Sequence, residues 1–280
     1  MSKPDFHGLS VLVLESRRSR EMAALVTTYG GRPVVAPALR EVPIESNTEA
    51  LAFADALIRH EFDLVILLTG VGTRALLDVV EGTGRRDAFV AALGKTKVAV
   101  RGPKPLAVIR ELRVPAWVTA PEPNTWREPL ASLDVAGTSL EGLRVAVQEY
   151  GVSNQALLQG LEARGARVTP VPVYRWALPE DLEPLREAVR SVIGGNVDIA
   201  IFTTGMQVVH LFQVAASLQQ DEALGEGLRR VVVASIGPTT SEELRQRRVD
   251  IDLEASHPKM GFLVREAAER GPDLLRAKRT

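Results

Sequence analysis

Residues 63–114, moved forward by 135 positions, fall without a gap on residues 198–249. Asp63-Leu-Val-Ile-Leu-Leu-Thr69-Gly70 lands on Asp198-Ile-Ala-Ile-Phe-Thr-Thr204-Gly205, and Gly102-Pro103-Lys104-Pro105 lands on Gly237-Pro238-Thr239-Thr240. An offset of 134 brings Val11–Glu15 onto Val145–Glu149 and Gly31 onto Gly165. Solenoid repeats run about 20–50 residues, so a period this long marks a duplicated half-molecule. Each half is long enough to bury its own core. The sequence therefore predicts two similar lobes with a cleft between them, the usual place for a small-molecule site.

Each half repeats one order of elements. Short apolar runs (Val11–Leu14, Pro33–Pro37, Leu64–Leu68, Lys97–Val100, Pro115–Thr119) alternate with helical patterns, and the second half follows suit from Arg144 to Glu254. Such alternation predicts α/β lobes with parallel sheets buried on both faces. Five strands per copy fit a flavodoxin-like order, 2-1-3-4-5. Stretches 82–87, 134–142 and 218–227 read as surface loops, and the polar residues 271–280 as a fraying end.

Composition limits the function classes. The formal charge is −1, so no global field favours nucleic acid or an anionic membrane. Without cysteine there are no disulfides, thiolate nucleophiles or cysteine metal sites. The four histidines (His7, His60, His210, His257) show no i,i+4 pairing, so a metal site is not expected; His210 reads as a core histidine. The first residues have no apolar h-region and no run is long enough to span a bilayer, which leads us to expect a cytoplasmic chain.

Ligands of parallel α/β sheets bind beyond the carboxyl ends of the strands. Those positions hold Ser16-Arg17-Arg18, Thr69-Gly70, Arg101-Gly102-Pro103-Lys104, Tyr150-Gly151-Val152-Ser153, Thr203-Thr204-Gly205 and Gly237-Pro238-Thr239-Thr240. Hydroxyls, glycines and helix starts dominate. Main-chain N–H groups at helix starts bind anions, so these tips suit a ligand with several carboxylates or phosphates. Ordinary N-capping by Ser and Thr explains any one of them equally well. Gly70-Val-Gly72-Thr-Arg-Ala75 matches a dinucleotide fingerprint. The second copy lacks the second glycine, and Lys97–Val100 ends in Arg101 with no acid for a ribose, so the fingerprint is rejected.

The residues just given resemble those of the uroporphyrinogen-III synthase family. Ser235-Ile-Gly237-Pro238-Thr239-Thr240 resembles its strand-to-helix turn, and Val171-x-Val173-Tyr174 its connector tyrosine. Ile201–Gly205 resembles its hydroxyl-rich turn, and Val11–Arg17 its first strand with a basic end. The likeness runs over roughly residues 9–270.

The resemblance implies two flavodoxin-like domains joined by a two-stranded β-ladder, formed here by 38–46 and 172–178. One domain would be 1–38 plus 174–280 and the other 39–173, each combining strands from both copies. It also implies a lyase without cofactor or metal. The enzyme cyclises hydroxymethylbilane, a linear tetrapyrrole with eight carboxylates, with loss of water and inversion of ring D, to uroporphyrinogen III. Tyr174 stands in the family's tyrosine position as candidate acid. Thr203 and Thr240 would meet carboxylates or the leaving group, with Arg17, Arg18 and Lys104 as charge partners. Thr69, Gly70, Gly102, Tyr150, Ser153, Thr204, Gly205, Gly237 and Thr239 complete the substrate-binding set. The expected molecule is a monomer without nucleic-acid or membrane partner. The family often has threonine in the first lobe's turn where this chain has Pro105. The competing class is a non-enzymatic two-lobe binding protein or sensor for a small anion.

Overall fold

The computed structural model describes residues 4–43, 47–149, 151 and 153–279. In chain order the first half runs β1 (Ser10–Val13), α1 (Ser19–Thr28), β2 (Arg32–Val35), β3 (Arg40–Pro43), α2 (Thr48–Ile58), β4 (Leu64–Leu67), α3 (Gly70–Glu81), α4 (Arg86–Leu93), β5 (Lys97–Val100), α5 (Pro103–Glu111), β6 (Val118–Thr119) and α6 (Arg127–Val135). The second runs β7 (Arg144–Gln148), α7 (Gln155–Glu162), β8 (Arg167–Val171), β9 (Tyr174–Ala177), α8 (Glu183–Ile193), β10 (Ile199–Phe202), α9 (Gly205–Ser217), α10 (Asp221–Leu228), β11 (Val232–Ser235), α11 (Pro238–Gln246), β12 (Leu253–Glu254) and α12 (Met260–Arg279).

Two compact units result: Met1–Arg40 with Ala177–Thr280, and Glu41–Trp176. The first holds a five-stranded sheet in the order β12-β11-β10-β1-β2, the second one in the order β6-β5-β4-β7-β8. All neighbours are parallel, with Val11 opposite Ile199 in one sheet and Leu64 opposite Val145 in the other. Read from β2, the first sheet has the flavodoxin-like order 2-1-3-4-5, and the second, read from β8, has the same arrangement with the chain order permuted. In the second unit, however, the sequence's later strands β7 and β8 take the first two places and β4–β6 the last three. The two halves of the chain have traded strands. Both passages of the chain from unit to unit are made in β3 and β9, which pair as a separate two-stranded sheet.

Strand periodicity explains the core. Side chains alternate across a sheet, and both faces of the second sheet are covered. Val65, Leu67, Val98, Val100 and Ala146 enter one cluster with Phe53, Leu57 and Phe89. Leu64, Ile66, Ala99, Val145 and Val147 enter another with Leu130, Leu157 and Leu161. In the first unit Val11, Val13, Ile199, Ile201, Val232 and Ala234 pack with Met22, Val26, Leu263 and Leu275. An aspartate ties each sheet at its amino end. Asp63 accepts from Arg144 N (2.8 Å) and Asp198 from Ser10 N (2.8 Å), joining the two strands that flank each centre.

Three local expectations need correcting. Residues 218–227 are largely helix α10, because Leu224 and Leu228 are buried against the α8–α9 side. The expected loop 82–87 stops at Arg85, because residues 86–87 already open helix α4, whose Phe89, Ala92 and Leu93 lie in the core. The carboxyl end does not fray: α12 continues through Pro272 to Arg279. Leu275 is buried, Lys278 meets Asp252 (2.6 Å) and Arg279 meets Asp198 (2.8 Å). Gly271 allows the close pass, since a Cβ there would lie 2.6 Å from Ile199 Cδ1.

Candidate functional site

A sheet of this order has one place where successive crossovers leave on opposite faces, and the crevice there opens at the carboxyl ends of the strands. In the first unit it lies between β1 and β10, whose tips are Glu15 and Thr203. These residues, far apart in sequence, meet: Thr203 Oγ1 donates to Glu15 Oε2 (2.7 Å). Gln207, fully buried in the first turn of α9, closes the group. Its Nε2 donates to Thr203 Oγ1 (2.8 Å) and its Oε1 accepts from Thr203 N (2.7 Å). Thr203's only hydroxyl proton thus goes to Glu15, and its side chain keeps no donor for a ligand anion. Thr204 differs: it is extended (φ −160°, ψ 149°) and makes no side-chain cap, so the first N–H groups of α9 have no capping hydroxyl.

At the neighbouring tip Gly237 is likewise extended and precedes Pro238 at the start of α11, again without a side-chain cap. Thr239 is exposed and Thr240 buried. Beneath them Ser235 and Ser241, both buried, bond to each other (3.0 Å), and Ser241 donates to Glu254. This network shapes the turn from below. At the β1 tip Arg17 and Arg18 are exposed, and Arg18 Nε donates to Glu21 (2.6 Å).

In the second unit the crevice lies between β7 and β4. Thr69 acts as a plain N-cap, its Oγ1 accepting from Gly72 N (3.0 Å). Gly70 lets α3 approach α5: a Cβ would lie 2.8 Å from the Lys104 carbonyl oxygen. Gln148, buried at the end of β7, accepts from Thr69 N (3.4 Å) and donates to the Glu149 carbonyl. A Cβ on Gly72 would overlap that amide. The Gly-x-Gly pattern is therefore a packing device. The first unit fills the same place with Gln207 from the helix, and there the strand carries Leu14. Glu149, the counterpart of Glu15, is buried and accepts from Ser153 Oγ (2.6 Å).

The Gly102 turn mirrors Gly237, extended, uncapped and followed by Pro103. Asn124 packs against it, and in the orientation that satisfies its amide it donates to the Arg101 carbonyl (2.6 Å). Lys104 is exposed, while Pro105 is buried in the first turn of α5 and supplies no hydroxyl. Tyr150 lies outside the described residues. Tyr174 opens β9, and its side chain is outside the described set. The bonded groups Glu15, Gln207, Gln148 and Glu149 escaped the sequence reading. Their signal was the match of Glu15 with Glu149 at offset 134, and a glutamine among apolar neighbours.

Other polar features lie elsewhere. Arg144's hydrogen bonds hold the Asp63 carboxyl below its ordinary range, but this pair marks the amino ends of the strands. A shallow concavity of about 350 Å³, lined by Glu61, Phe62, Arg144, Arg167 and Thr169, sits at that end too, away from the tips. Among the described residues no group of three or more His, Asp or Glu is placed to hold a metal. His210, buried in α9, bonds through Nδ1 to the Ala38 carbonyl (2.7 Å), which fixes the proton on Nδ1. No helix among the described residues is long and apolar enough to cross a membrane.

The chain is similar to known proteins. The chain is 30% identical over 270 residues to the uncharacterized protein YjjA of Bacillus subtilis, covering 94% of this chain and 96% of that one. It is 31% identical over 262 residues to a putative uroporphyrinogen-III synthase of Methanothermobacter thermautotrophicus, covering 92% and 96%. A crystal structure of a mutant uroporphyrinogen III synthase from the extremely thermophilic bacterium Thermus thermophilus superposes with a TM-score of 0.75 at 27% identity, over 95% of this chain and 99% of that one. A family model described as uroporphyrinogen-III synthase HemD matches residues 20–265, and the chain belongs to that family.

Proposed function

We propose that this protein is a uroporphyrinogen-III synthase, a cytoplasmic, monomeric, cofactor-independent lyase that cyclises hydroxymethylbilane with inversion of ring D. Family membership supports the reaction class. The observation that carries the reading to the site is the state of the helix starts: α5, α9 and α11 begin without a side-chain cap, and of the equivalent turns before α3, α5, α9 and α11 only Thr69 caps its helix. Pro103, Pro105 and Pro238 carry no N–H, so the uncapped donors are those of Lys104 at α5, Gly205 and Met206 at α9 and Thr239 at α11; with the helix dipole behind them they suit carboxylates of an octa-anion. A chain of net charge −1 then holds a polyanion by oriented main-chain donors.

In this reading carboxylates bind at Thr204, Gly205, Gly237, Thr239 and Thr240 in the first unit, and at Gly70, Gly102 and Ser153 in the second. Arg17 and Arg18 add charge in the first unit and Lys104 in the second, and Tyr150 completes the substrate-binding set. The bilane also closes unaided to isomer I, so the protein's task is mainly orientation of the terminal ring. Tyr174 acts as the weak acid at the leaving hydroxyl; Tyr174→Phe then slows turnover with the fold intact, and unchanged kinetics remove it from the mechanism. The deciding assay couples purified protein to hydroxymethylbilane and separates the products. Isomer III in excess of isomer I supports the reading, and isomer I alone ends it. Pro105 favours one competitor, a binding protein for small anions: if a hydroxyl at this turn is essential, the chain binds without turnover and yields only isomer I.

A further inference from the structure

Carboxylates at the crevice of each sheet are out of keeping with a site for anions alone. Glu15 ends β1 and Glu149 ends β7, at equivalent places, and each is bonded to one hydroxyl. Glu149 is buried, whereas Glu15 is partly exposed. A carboxylate offers about four acceptor positions. On Glu15, Oε2 takes the Thr203 proton, and Oε1 has a long contact with Arg18 N (3.4 Å). Arg18's guanidinium is turned to Glu21. Acceptor capacity therefore remains on Glu15 at the mouth of the crevice, beside the uncapped start of α9. Like charges at close range disfavour a bound anion. The arrangement becomes favourable when the ligand brings a donor to that point.

We infer that Glu15 selects a ligand carrying ring N–H donors as well as carboxylates, by accepting a pyrrole N–H on its Oε1. This rests on the proposed function, whose substrate is a tetrapyrrole, and adds to it the residue that reads the ring N–H. The Thr203–Gln207 pair holds the carboxylate in place, which is why Thr203's proton is turned inward.

The test uses two small probes of one shape, pyrrole-3,4-dicarboxylate and furan-3,4-dicarboxylate, titrated into the full chain and followed by amide NMR shifts around Glu15 and Thr204. The wild type is expected to bind the pyrrole about tenfold more tightly, the scale of one charge-assisted hydrogen bond. In Glu15→Gln the preference falls to within about twofold, while furan binding stays equal or tightens as a like charge leaves. Should Glu15→Gln fail to fold, Glu15→Asp, with its carboxylate withdrawn by one methylene, must lose the preference instead. Equal binding of both rings by the wild type, a preference that survives in the variants, or binding of neither probe overturns the inference. Neither probe is turned over. A protein that makes isomer III yet ignores the N–H loses this inference alone; one that prefers the pyrrole yet makes no isomer III loses the function reading alone.

Discussion

Gly72→Ala separates a packing role for the Gly-x-Gly turn from a cofactor role. The new Cβ would lie 2.8 Å from Thr69 Oγ1 and overlap the Gln148 amide, which is 1% exposed. Displacing that amide breaks its bonds to Thr69 N and to the Glu149 carbonyl. Unmade buried bonds cost about 1–3 kcal/mol and overpacking a similar amount, so a loss of about 3 kcal/mol is expected. Gln148→Ala alone gives up the same bonds and leaves a void, for about 2 kcal/mol. If the glycine exists to admit the amide, the double variant costs about 2 kcal/mol and not the sum, a coupling of about 3 kcal/mol. Urea unfolding read by tryptophan fluorescence measures this cycle. Trp117, Trp126 and Trp176 all belong to the second unit, so the signal reports it alone. Additive losses would refute the packing role. A fully stable Gly72→Ala would reopen the dinucleotide reading, to be checked by fluorescence quenching with a nicotinamide cofactor.

Other outcomes follow from single contacts. Thr204→Val should raise KM about tenfold with little change in stability, whereas Thr203→Val, losing a bond to a carboxylate, should destabilise its unit by about 2 kcal/mol; circular dichroism melts and steady-state kinetics distinguish them, and the reverse pattern would contradict the geometry. Asp63 has a depressed carboxyl pKa, so its contribution is present above the unfolded value of about 3.9 and disappears as pH falls through the folded value. Asp63→Asn should therefore lower the fluorescence-detected urea midpoint at pH near 7, with the gap to wild type closing below about pH 4; a gap that persists in acid refutes it. Ending the chain at Arg270 removes buried Leu275 and the Lys278–Asp252 pair, an expected loss of about 4 kcal/mol in the first unit, and hydrogen exchange in β10 and β11 should report it.

The candidate site was legible only where polarity is local. Thr69, Thr204 and the two Gly-Pro turns announced helix starts, because capping chemistry is written within a few residues. Which hydroxyls face outward was not legible. Thr203 and Thr204 look alike in sequence, yet Gln207 and Glu15 turn one inward, and Glu15 stands 188 residues away. The fingerprint around Gly72 fails on sequence alone, but what the glycine serves was not legible: Gln148, from another strand, occupies the space above it.

The sequence by itself determined the class: short, mostly apolar strands, wholly so at Leu64–Leu67 and Ile199–Phe202, alternating with amphipathic helices demand parallel sheets covered on both faces, and the repeat demands two of them. Helix α10 and the end of α12 are not legible in the sequence, because their polar composition is outweighed by a few buried leucines and by the ion pairs of Lys278 and Arg279, contacts no local window contains. Tertiary structure alone decided that β4 pairs with β7 and β10 with β1. Parallel neighbours share no turn, so their choice depends on which faces remain to be buried once the crossovers have packed, a global condition rather than a local one.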